Sequence, residues 1–380
     1  MRKGWEYKKL GEVCTIERGG SPRPINDYIT DSEDGINWIK IGDAQEGSKY
    51  ITSTKEKIKP EGVKKSRFVH KGDFILSNSM SFGRPYILKV DGCIHDGWLV
   101  IHDNNDIFIK DYLYYLLASP TMYAKFSQLA VGGVVNNLNS SLVRKVEITI
   151  PPKSTQLAIV SELDKINELI RLKKEQLKDF DNLAQSLFYE MFGEGKCLRK
   201  KLKDIVKIQS GQVSPLEEPY SEMIHIGPAN IESNTGRLLN LKTAKEENLI
   251  SGKYLFDSSM VLYSKIRPNL NKVTIPSFEG ICSADMYPII PLESIDKNFL
   301  LFLLKQKEFL TYAISNSGRA NIPKINREAL LNYEAILPPL SLQHLFAQRI
   351  EQIEREKSEV QKSIQDLETL LASRMQYWFE

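Results

Sequence analysis

The sequence predicts an α+β protein with two similar domains and two long helices that form an antiparallel coiled coil, related by a pseudo-two-fold. Three observations predict this fold class. The chain contains an internal repeat, each copy ends in a long stretch with helical periodicity, and each copy begins with short runs typical of β-strands. A self-match over nearly half of the chain indicates that one unit was duplicated.

The repeat is clearest at the end of each copy. From Pro151 the chain reads PPKSTQLAIVSELDKINELIRLKKEQLKDFDNLAQSLFYEMF, and from Pro338 it reads PPLSLQHLFAQRIEQIEREKSEVQKSIQDLETLLASRMQYWF. The two stretches align without a gap, so that Gln156 falls on Gln343. Proline is tolerated in the first turn of a helix and not in its interior. Each Pro-Pro pair therefore marks the point at which a helix begins.

Apolar residues recur with a period near 3.5 through both stretches. They are Ile159, Leu163, Ile166, Ile170, Leu177, Phe180, Ala184, Leu187 and Met191 in the first copy, and Phe346, Ile350, Ile353, Val360, Ile364, Leu367, Leu371 and Trp378 in the second. Lys173, Lys357 and Arg374 interrupt this seam. The period is typical of coiled-coil helices.

The expected length of these helices bears on how they pack. About 37 residues at ~1.5 Å each give a helix on the order of 55 Å long. The alternative is two ordinary amphipathic helices, each packed on its own domain, but such helices are usually nearer three turns long. We therefore expect the two helices to pair with each other in antiparallel fashion, which also brings the chain termini close together.

Short β-like runs occur in the same order in both halves. Residues 14–16 match 206–208, 39–44 match 224–229, 71–77 match 257–263, and 93–94 match 281–282, and an aromatic-rich core helix follows at 111–117 and 298–304. Runs of this length, separated by turns, predict strands. The loops at 48–68 and 235–254 share almost nothing. This pattern suits two domains with one scaffold and different recognition surfaces.

The composition is that of a globular protein. Of 380 residues, 42% are hydrophobic and 26% are charged, and the net charge is only +3. A role with nucleic acid must therefore rest on local basic clusters. Cys14, Cys93, Cys197 and Cys282 lie far apart, which predicts reduced thiols and neither a zinc site nor a disulfide framework. Because no run approaches 18 apolar residues and the N-terminus lacks an apolar segment, we expect a cytoplasmic protein.

Motifs for chemistry are missing from the sequence. It contains no GxxxxGK[ST] phosphate loop, no HExxH helix, no GxGxxG after a strand and no Asn/Asp-Pro-Pro-aromatic motif. His95-Asp96 is interpreted as turn or core structure, because no nucleophile is placed beside it. The Gly19-Gly20 break after Arg18 is interpreted as a turn, and alternatively as a point where backbone amides approach a phosphate. We predict no catalytic and no metal-binding residues.

Three features together resemble a known family. They are the Pro-Pro-x-x-x-Gln start of both helices, the Ile-x-Ile-Gly-x-Ala run at 39–44 and 224–229, and the Leu-x-x-Ser-Leu-Phe-x-Glu-Met-Phe-Gly ending of the first helix at Gly193. Over its full length the chain resembles the specificity subunit of a type I restriction-modification enzyme. The resemblance implies a first target-recognition domain at 1–152, a first conserved helix at 153–192, a second target-recognition domain at 193–339 and a second conserved helix at 340–380.

The resemblance also implies function and partners. A member of this family is not an enzyme itself but chooses the DNA sequence for a complex in a restriction system. Methyltransferase subunits, two of them, and motor-nuclease subunits are the expected protein partners, and double-stranded DNA is the expected target. No cofactor is expected on this chain, because S-adenosylmethionine, ATP and Mg would belong to the partner subunits that carry out DNA methylation and cleavage.

Candidate DNA contacts are polar and basic residues in the variable loops. Base contacts need donors and acceptors that reach the major groove, and the candidates are Asn78, Arg84, Lys265, Arg267, Asn269, Asn271 and Arg319. Lys64, Lys65, Arg67, Lys71 and Lys272 are the candidate phosphate contacts. Two unlike domains predict a bipartite, asymmetric target. Each single residue is alternatively a solvated surface charge.

Candidate partner contacts are large apolar residues on the helices. They are Leu183, Phe188, Tyr189 and Phe192 in the first helix and Tyr377, Trp378 and Phe379 in the second, with packing inside the coiled coil as the alternative. Two rival functions remain open. One is a self-contained DNA methyltransferase with fused recognition domains, and the other is a coiled-coil adaptor that binds proteins and not DNA.

Overall fold

The computed structural model describes residues 2–45, 47–78, 83–130, 138–193, 197–318 and 321–380. The chain divides into two compact units. Unit 1 comprises Met1–Glu175 and Gln361–Glu380, and unit 2 comprises Gln176–Val360. Each long helix therefore contributes one part to unit 1 and the other part to unit 2.

Unit 1 combines short strands with helices. Its strands are β1 (Glu6–Lys9), β2 (Cys14–Arg18), β3 (Ile29–Thr30), β4 (Ile36–Ile39), β5 (Tyr50–Ile51), β6 (Glu56–Ile58), β7 (Arg67–Val69), β8 (Phe74–Ser77), β9 (Pro85–Leu88), β10 (Gly92–Ile94), β11 (Trp98–Asp103) and β12 (Glu147–Ile150). Its helices are α1 (Leu10–Val13), α2 (Lys110–Ala118), α3 (Pro120–Ala130), α4 (Ser140–Arg144) and the first part of α5 (Lys153–Phe192). The sheet orders are β3-β6-β4-β10-β7 and β2-β11-β8-β9-β5, and β1 pairs with β12.

Unit 2 repeats this plan. Its strands are β13 (Leu198–Lys201), β14 (Val206–Ile208), β15 (Gln212–Val213), β16 (Ile224–Ile226), β17 (Lys242–Thr243), β18 (Lys253–Phe256), β19 (Val261–Ser264), β20 (Val273–Thr274), β21 (Gly280–Cys282), β22 (Met286–Pro291), β23 (Ser317–Gly318), β24 (Lys324–Ile325) and β25 (Glu334–Leu337). Its helices are α6 (Lys297–Lys305), α7 (Lys307–Ser315), α8 (Arg327–Asn332) and part of α9 (Leu340–Phe379). The sheet orders are β14-β22-β19-β20 and β15-β18-β21-β16-β17, with β13 paired to β25 and β23 to β24.

Short 3-10 helices connect these elements. They are Ile25–Asp27, Ile41–Asp43 and Pro60–Lys65 in unit 1, and Leu202–Asp204, Tyr220–Glu222, Pro228–Asn230 and Pro268–Leu270 in unit 2. The runs at 39–44 and 224–229 are predicted as strands that end in a turn. In unit 2 this is confirmed, because β16 (Ile224–Ile226) is followed by the turn Pro228–Asn230, whereas in unit 1 the strand lies earlier in the chain, because β4 already ends at Ile39. In unit 1 the carboxylate of Asp43 accepts a hydrogen bond from the backbone N–H of Lys40 at 2.8 Å, which turns the chain out of the strand.

Each long helix begins inside the core of its own unit. Ile159 and Leu163 of α5 are fully buried among β-strand and α2 residues of unit 1, such as Tyr112. Phe346 of α9 is fully buried in unit 2 beside Phe299 of α6. Burial of apolar side chains supplies most of the driving force for such packing. The predicted core helices at 111–117 and 298–304 are confirmed as α2 and α6.

The side-chain amide of Gln156 fixes the start of α5. Gln156 is 1% exposed. Its Oε1 accepts a hydrogen bond from the backbone N–H of Ile109 at 2.7 Å, and its Nε2 donates to the carbonyl oxygens of Ile107 at 3.1 Å and Pro151 at 3.0 Å. One side chain thereby satisfies backbone groups of the segment before α2 and of the segment before α5.

Gln343 makes the same three hydrogen bonds at the start of α9. Its Oε1 accepts from the backbone N–H of Asp296 at 2.8 Å, and its Nε2 donates to the carbonyl oxygens of Ser294 at 3.0 Å and Pro338 at 2.8 Å. The repeat seen in the sequence is therefore also a repeat of individual hydrogen bonds.

The two long helices pair in antiparallel fashion within each unit. In unit 1, Glu162 accepts hydrogen bonds from Arg374 and Trp378, and further along α5 Lys174 lies 2.8 Å from Glu368. Because the residue number falls along α9 as it rises along α5, the helices run in opposite directions. The predicted α+β class with two similar domains and two long, antiparallel-paired helices is confirmed.

Unit 2 contains the other part of the helix pair. Phe188 and Phe192 of α5 contact the ring of Phe346, with centroid distances of 5.8 and 5.3 Å. Lys357, which interrupts the apolar seam, lies 2.8 Å from Asp181 of α5 and 3.1 Å from Glu354. Its half-buried charge is thus compensated by a carboxylate on each helix, which explains why the seam tolerates it.

Substitution of Gln156 tests whether this side chain anchors α5. Gln156→Ala removes three hydrogen bonds and leaves buried backbone groups without partners, so we expect the free energy of unfolding to fall by about 2 to 4 kcal/mol. Urea denaturation followed by circular dichroism measures it. Gln352→Ala is the control, because the Gln352 amide bonds only to Glu356 on the helix surface at 3.3 Å. Equal stability of the two variants would contradict the anchor.

The Glu162–Arg374 pair predicts a pH dependence of stability. The hydrogen bond from Arg374 lowers the pKa of Glu162 below its ordinary value. A carboxyl whose pKa is lower in the folded state stabilises the folded protein at pH values above its unfolded pKa of about 4.3. This stabilisation is lost as the pH falls through the folded pKa. We expect Glu162→Gln to lower the free energy of unfolding by under about 1 kcal/mol at pH 7, because both side chains are about a third exposed to solvent. Below about pH 4 the difference from wild type should be smaller.

Denaturant unfolding at a series of pH values measures this difference. The control is Glu359→Gln, which removes a carboxylate from an exposed position of α9. A gap between wild type and E162Q that stays constant from pH 7 to pH 3 would show that the ion pair is not its source.

Candidate functional site

The loops with candidate contact residues in unit 1 are held together by Asp96. The hydroxyl of Ser21 donates to the Asp96 carboxylate at 2.9 Å, and Arg23 lies 3.7 Å from the same group. Arg18 Nε and Asn78 Nδ2 each donate to the backbone carbonyl of Asp96 at 3.0 Å. Arg18 and Arg23 are basic residues of this cluster that the sequence analysis did not select, although Arg18 directly precedes the Gly-Gly break.

The Gly19-Gly20 break is a close backbone contact. The N–H of Gly19 donates to the carbonyl of Trp98 at 2.9 Å, and the N–H of Gly20 donates to the carbonyl of Ile94 at 3.1 Å. A Cβ at Gly19 would lie 2.3 Å from the carbonyl oxygen of His95, so only glycine fits. Because both amides are already used, the alternative of a phosphate held by these amides is wrong.

Asn78 is a structural residue. The residue is 3% exposed, its side-chain amide donates to the backbone carbonyl of Asp96, and its backbone carbonyl accepts from the backbone N–H of Leu138 at 2.9 Å. The prediction that Asn78 contacts a base is therefore wrong, because the side chain points into the domain. Arg84 is exposed at the end of the same loop, and its base contact stays a prediction.

The four candidate phosphate contacts of unit 1 follow one another along the chain. Lys64, Lys65 and Lys71 are exposed. The ammonium of Lys65 donates to the Tyr28 hydroxyl at 2.7 Å, which orders the side chain without burying its charge. Arg67 differs, because its guanidinium donates to the carbonyl of Arg18 and pairs with Glu17, both at 3.0 Å. The contacts of these residues with phosphate stay predictions.

In unit 2, the segment that corresponds in sequence to residues 78–84 is the loop 265–272, which is called the knuckle here. Lys265 is half-buried, and its ammonium lies 5.4 Å from the centre of the Tyr287 ring. Burial lowers the pKa of Lys265, and the neighbouring Lys324 lowers it further. Lys324 is a further basic residue that was not predicted from the sequence, because the residues around it form no distinctive motif.

Two of the candidates in the knuckle hold the loop in place. Asn271 is 8% exposed and its Nδ2 donates to the carbonyl of Lys305 at 3.4 Å, so the prediction that it contacts a base is wrong. Lys272 Nζ donates to the carbonyl of Pro228 at 2.6 Å, which directs its charge into the unit. Burial of the Asn271 side chain accounts for this correction, whereas Lys272 is only partly buried and its contact with phosphate stays a prediction.

Arg267 and Asn269 are the exposed candidates of the knuckle. They flank Pro268, which is buried. Arg319, the remaining candidate base contact, lies outside the described residues.

Three of the candidate partner contacts belong to the cores of the units. Phe188 and Phe192 are 8% and 3% exposed and pack on Phe299 and Phe346 of unit 2. Phe379 is 4% exposed in unit 1. These three predictions are wrong, because the alternative of packing within the chain applies to them. Coiled-coil periodicity does not distinguish an aromatic residue in a core from one on a surface.

The other partner candidates are accessible. Leu183 and Tyr189 of α5 and Tyr377 of α9 are more than half exposed, and Trp378 is partly buried against the core of unit 1 and donates to Glu162. Further exposed apolar residues of the two helices were not among the predicted partner contacts; they are Leu157, Leu169, Leu172, Leu340, Leu342, Leu345 and Leu370. Apolar exposure on this scale is typical of surfaces that contact another protein.

The His95-Asp96 pair has a structural arrangement. Nε2 of His95 lies 2.9 Å from the Asp96 carboxylate, and Nδ1 accepts from the backbone N–H of Gly97 at 2.9 Å. The Ser21 hydroxyl donates its hydrogen bond to the Asp96 carboxylate and not to the imidazole, whereas a nucleophilic serine needs a base such as the imidazole. In the described ranges, no group of His, Cys, Asp and Glu is arranged to hold a metal ion. None of the helices described is long and apolar enough to span a membrane.

Comparison with protein families gives two matches to one family model. Residues 2–179 and 198–369 each match the type I restriction modification DNA specificity domain. Among curated relatives, the EcoDI specificity subunit of Escherichia coli is 28% identical over 298 residues, which are 68% of this chain and 66% of that protein. The MjaVIII specificity subunit of Methanocaldococcus jannaschii is 22% identical over 408 residues, covering 97% of this chain and 92% of that protein. The match to EcoDI thus spans slightly less than two thirds of that subunit.

Solved structures share the fold. A chain from work on complex assembly and conformational transition of the type I R-M system superposes with a TM-score of 0.68 at 17% identity, covering 99% of this chain and 97% of that chain. The type I restriction-modification S subunit from M. genitalium superposes with a TM-score of 0.54 at 14% identity, covering 99% and 96%.

Substitutions of the adjacent residues Phe188 and Tyr189 in α5 test which of them packs in the core of unit 2 and which lies on the surface. We expect Phe188→Ala to lower the free energy of unfolding by about 3 to 5 kcal/mol, because it opens a cavity among aromatic rings. Tyr189, at 59% exposed, is the matched control, and Tyr189→Ala is expected to stay within about 0.5 kcal/mol of wild type. Thermal or urea unfolding measures both, and a Phe188→Ala variant as stable as Tyr189→Ala would contradict the assignment.

Proposed function

The chain belongs to the type I restriction modification DNA specificity domain family, and we propose that it is the specificity subunit of a type I restriction-modification complex. Its role is to recognise a bipartite, asymmetric DNA target and to position the catalytic subunits there. The observation that carries this proposal is the pair of family matches, one in each half of the chain.

The recognition role is supported by how the two units differ. Their framework repeats down to the hydrogen bonds of Gln156 and Gln343, whereas the loops between the strands do not. Unit 1 presents the exposed lysines 64, 65 and 71, and unit 2 presents the knuckle with Arg267 and Asn269. Phosphate contacts position a protein on DNA and base contacts select the sequence. Each unit therefore reads its own short half-site.

The catalytic steps belong to partner subunits in this proposal. Methyltransferase subunits, two per complex, flip the adenine out of the duplex and transfer a methyl group from S-adenosylmethionine. Motor-nuclease subunits use ATP and Mg for cleavage. The exposed apolar residues Leu183, Tyr189 and Tyr377 on the long helices supply contact surface for a partner. The chain itself is not an enzyme and acts by placing these subunits on the target.

A methyl-transfer assay tests the division of labour. With labelled S-adenosylmethionine and DNA that contains the target, we expect no transfer by this chain alone, none by the methyltransferase subunit alone, and transfer by the two together. Transfer by the chain alone would establish instead a self-contained DNA methyltransferase. A complex that forms yet fails to shift DNA at low salt would establish a coiled-coil adaptor that does not bind DNA.

A further inference from the structure

The backbone of the knuckle has an unusual conformation at Arg267. Its φ and ψ are 48° and 60°, and Asn271 at the other end of the Pro268–Leu270 turn has 48° and 53°. This left-handed region is disfavoured for residues with a side chain, and a following proline further favours extended backbone. Glycine would adopt this conformation without strain. We therefore infer that the chain has arginine and not glycine at this position because the arginine side chain has a role.

Hydrogen bonds on both sides of Arg267 hold this conformation. The backbone N–H of Arg267 donates to the carbonyl of Pro323 at 2.7 Å. Just before it, the N–H of Lys265 donates to the carbonyl of Asp285, and the carbonyl of Lys265 accepts from the N–H of Ile325, both at 3.0 Å. Strained residues persist where the surroundings determine them in this way, and they cluster at functional sites.

The far side of the knuckle is held by side chains. Asn271 donates to the carbonyl of Lys305, and Lys272 donates to the carbonyl of Pro228. The backbone N–H of Asn234, in a neighbouring loop, donates to the carbonyl of Asn271 at 3.3 Å. With both ends fixed and Pro268 buried, the knuckle presents the exposed side chains of Arg267 and Asn269 from a rigid loop.

We propose that Arg267 determines one base of the target by donating two N–H groups to O6 and N7 of a guanine in the major groove. This rests on the proposed function. The planar guanidinium matches that pair of acceptors, which is the commonest specific contact between a side chain and a base. Lys324, whose backbone pairs with that of Ile266 next to Arg267, adds positive charge, which attracts the DNA backbone. The rigid loop reduces the ordering that binding requires.

Two substitutions separate base reading from other roles. Arg267→Gly removes the side chain and suits the left-handed backbone, and Arg267→Lys keeps the charge but loses the planar pair of donors. The control is Arg237→Ala in the same unit, where the guanidinium is already engaged by Glu232 at 3.2 Å. Each full-length variant is assembled with its methyltransferase subunit. The methylated motif is sequenced in a host, and competition binding uses duplexes changed at one base pair at a time.

We expect both Arg267 variants to lose the preference for guanine at a single position of one half-site, by roughly 5- to 150-fold. The other half-site keeps its sequence, and Arg237→Ala keeps the whole motif. Arg267→Lys is further expected to keep the wild-type dependence of affinity on salt, because its charge remains.

Other results would overturn the proposal. Unchanged base preferences in both variants refute base reading, and so does a uniform loss of affinity for every duplex, which indicates a phosphate contact. Loss of binding by Arg267→Gly together with wild-type preferences in Arg267→Lys indicates a charge or folding role and refutes it too. If the wild-type complex has no sequence preference, the proposed function fails and this proposal fails with it.

Discussion

A buried side-chain amide at the start of each long helix is the contact on which the rest of the structure depends. The first turn of a helix has N–H groups without partners inside the helix, and the chain entering it carries carbonyls that must also be satisfied when buried. Gln156 and Gln343 each bond two carbonyls and one N–H from segments far apart in sequence. The direction in which each helix leaves its domain is set by this geometry, since the amide bonds only if strand, loop and helix meet at one point.

The pairing of the two long helices is a second constraint on the structure, and polar residues define its register. Buried apolar residues such as Ile166 and Ile353 supply the area that leaves water on pairing, but an apolar seam alone tolerates a shift by one heptad. Arg374 and Lys357 interrupt the seam, and each meets a carboxylate of α5, Glu162 or Asp181. A shift in register would leave these half-buried charges without partners. The interruptions therefore weaken the hydrophobic contact locally and define the register of the pair.

The long-range plan of the fold was predictable because it depends on periodicity and repetition. The expected helices at 153–192 and 340–380 correspond to α5 and α9, and the Pro-Pro pairs explain why they begin there. Strand ends were less predictable, because the side-chain oxygens of Asp43 and Asn230 accept hydrogen bonds from the backbone N–H groups of Lys40 and Gly227, which close the chain into 3-10 turns soon after β4 and β16.

The sequence indicated which loops carry polar and basic residues, but not which of those residues are exposed. The knuckle was selected from the sequence as a polar, basic loop, and Arg267 and Asn269 are exposed on it, but the sequence does not tell which of its side chains point outward. Asn271 is buried because the end of α6 in the same unit presents the backbone carbonyl of Lys305 to its side chain, and Asn78 is buried for a similar reason at the backbone carbonyl of Asp96. Both are contacts between residues distant in the chain. The aromatic candidates Phe188 and Tyr189 likewise differ only in what surrounds them.

Hydrogen bonds from framework side chains to backbone atoms explain how two units with one framework carry different loops. Arg144 donates to the backbone carbonyl of Ile16 at 2.6 Å in unit 1, and Arg327 donates to that of Ile208 at 2.9 Å in unit 2. Like the glutamine contacts, these bonds end on backbone atoms, which every residue type possesses. These framework bonds therefore do not depend on which side chains the loops carry. Within the loops, Asn78 and Asn271 hold the local backbone in place, whereas exposed residues such as Arg267 and Asn269 can differ according to what each unit has to contact.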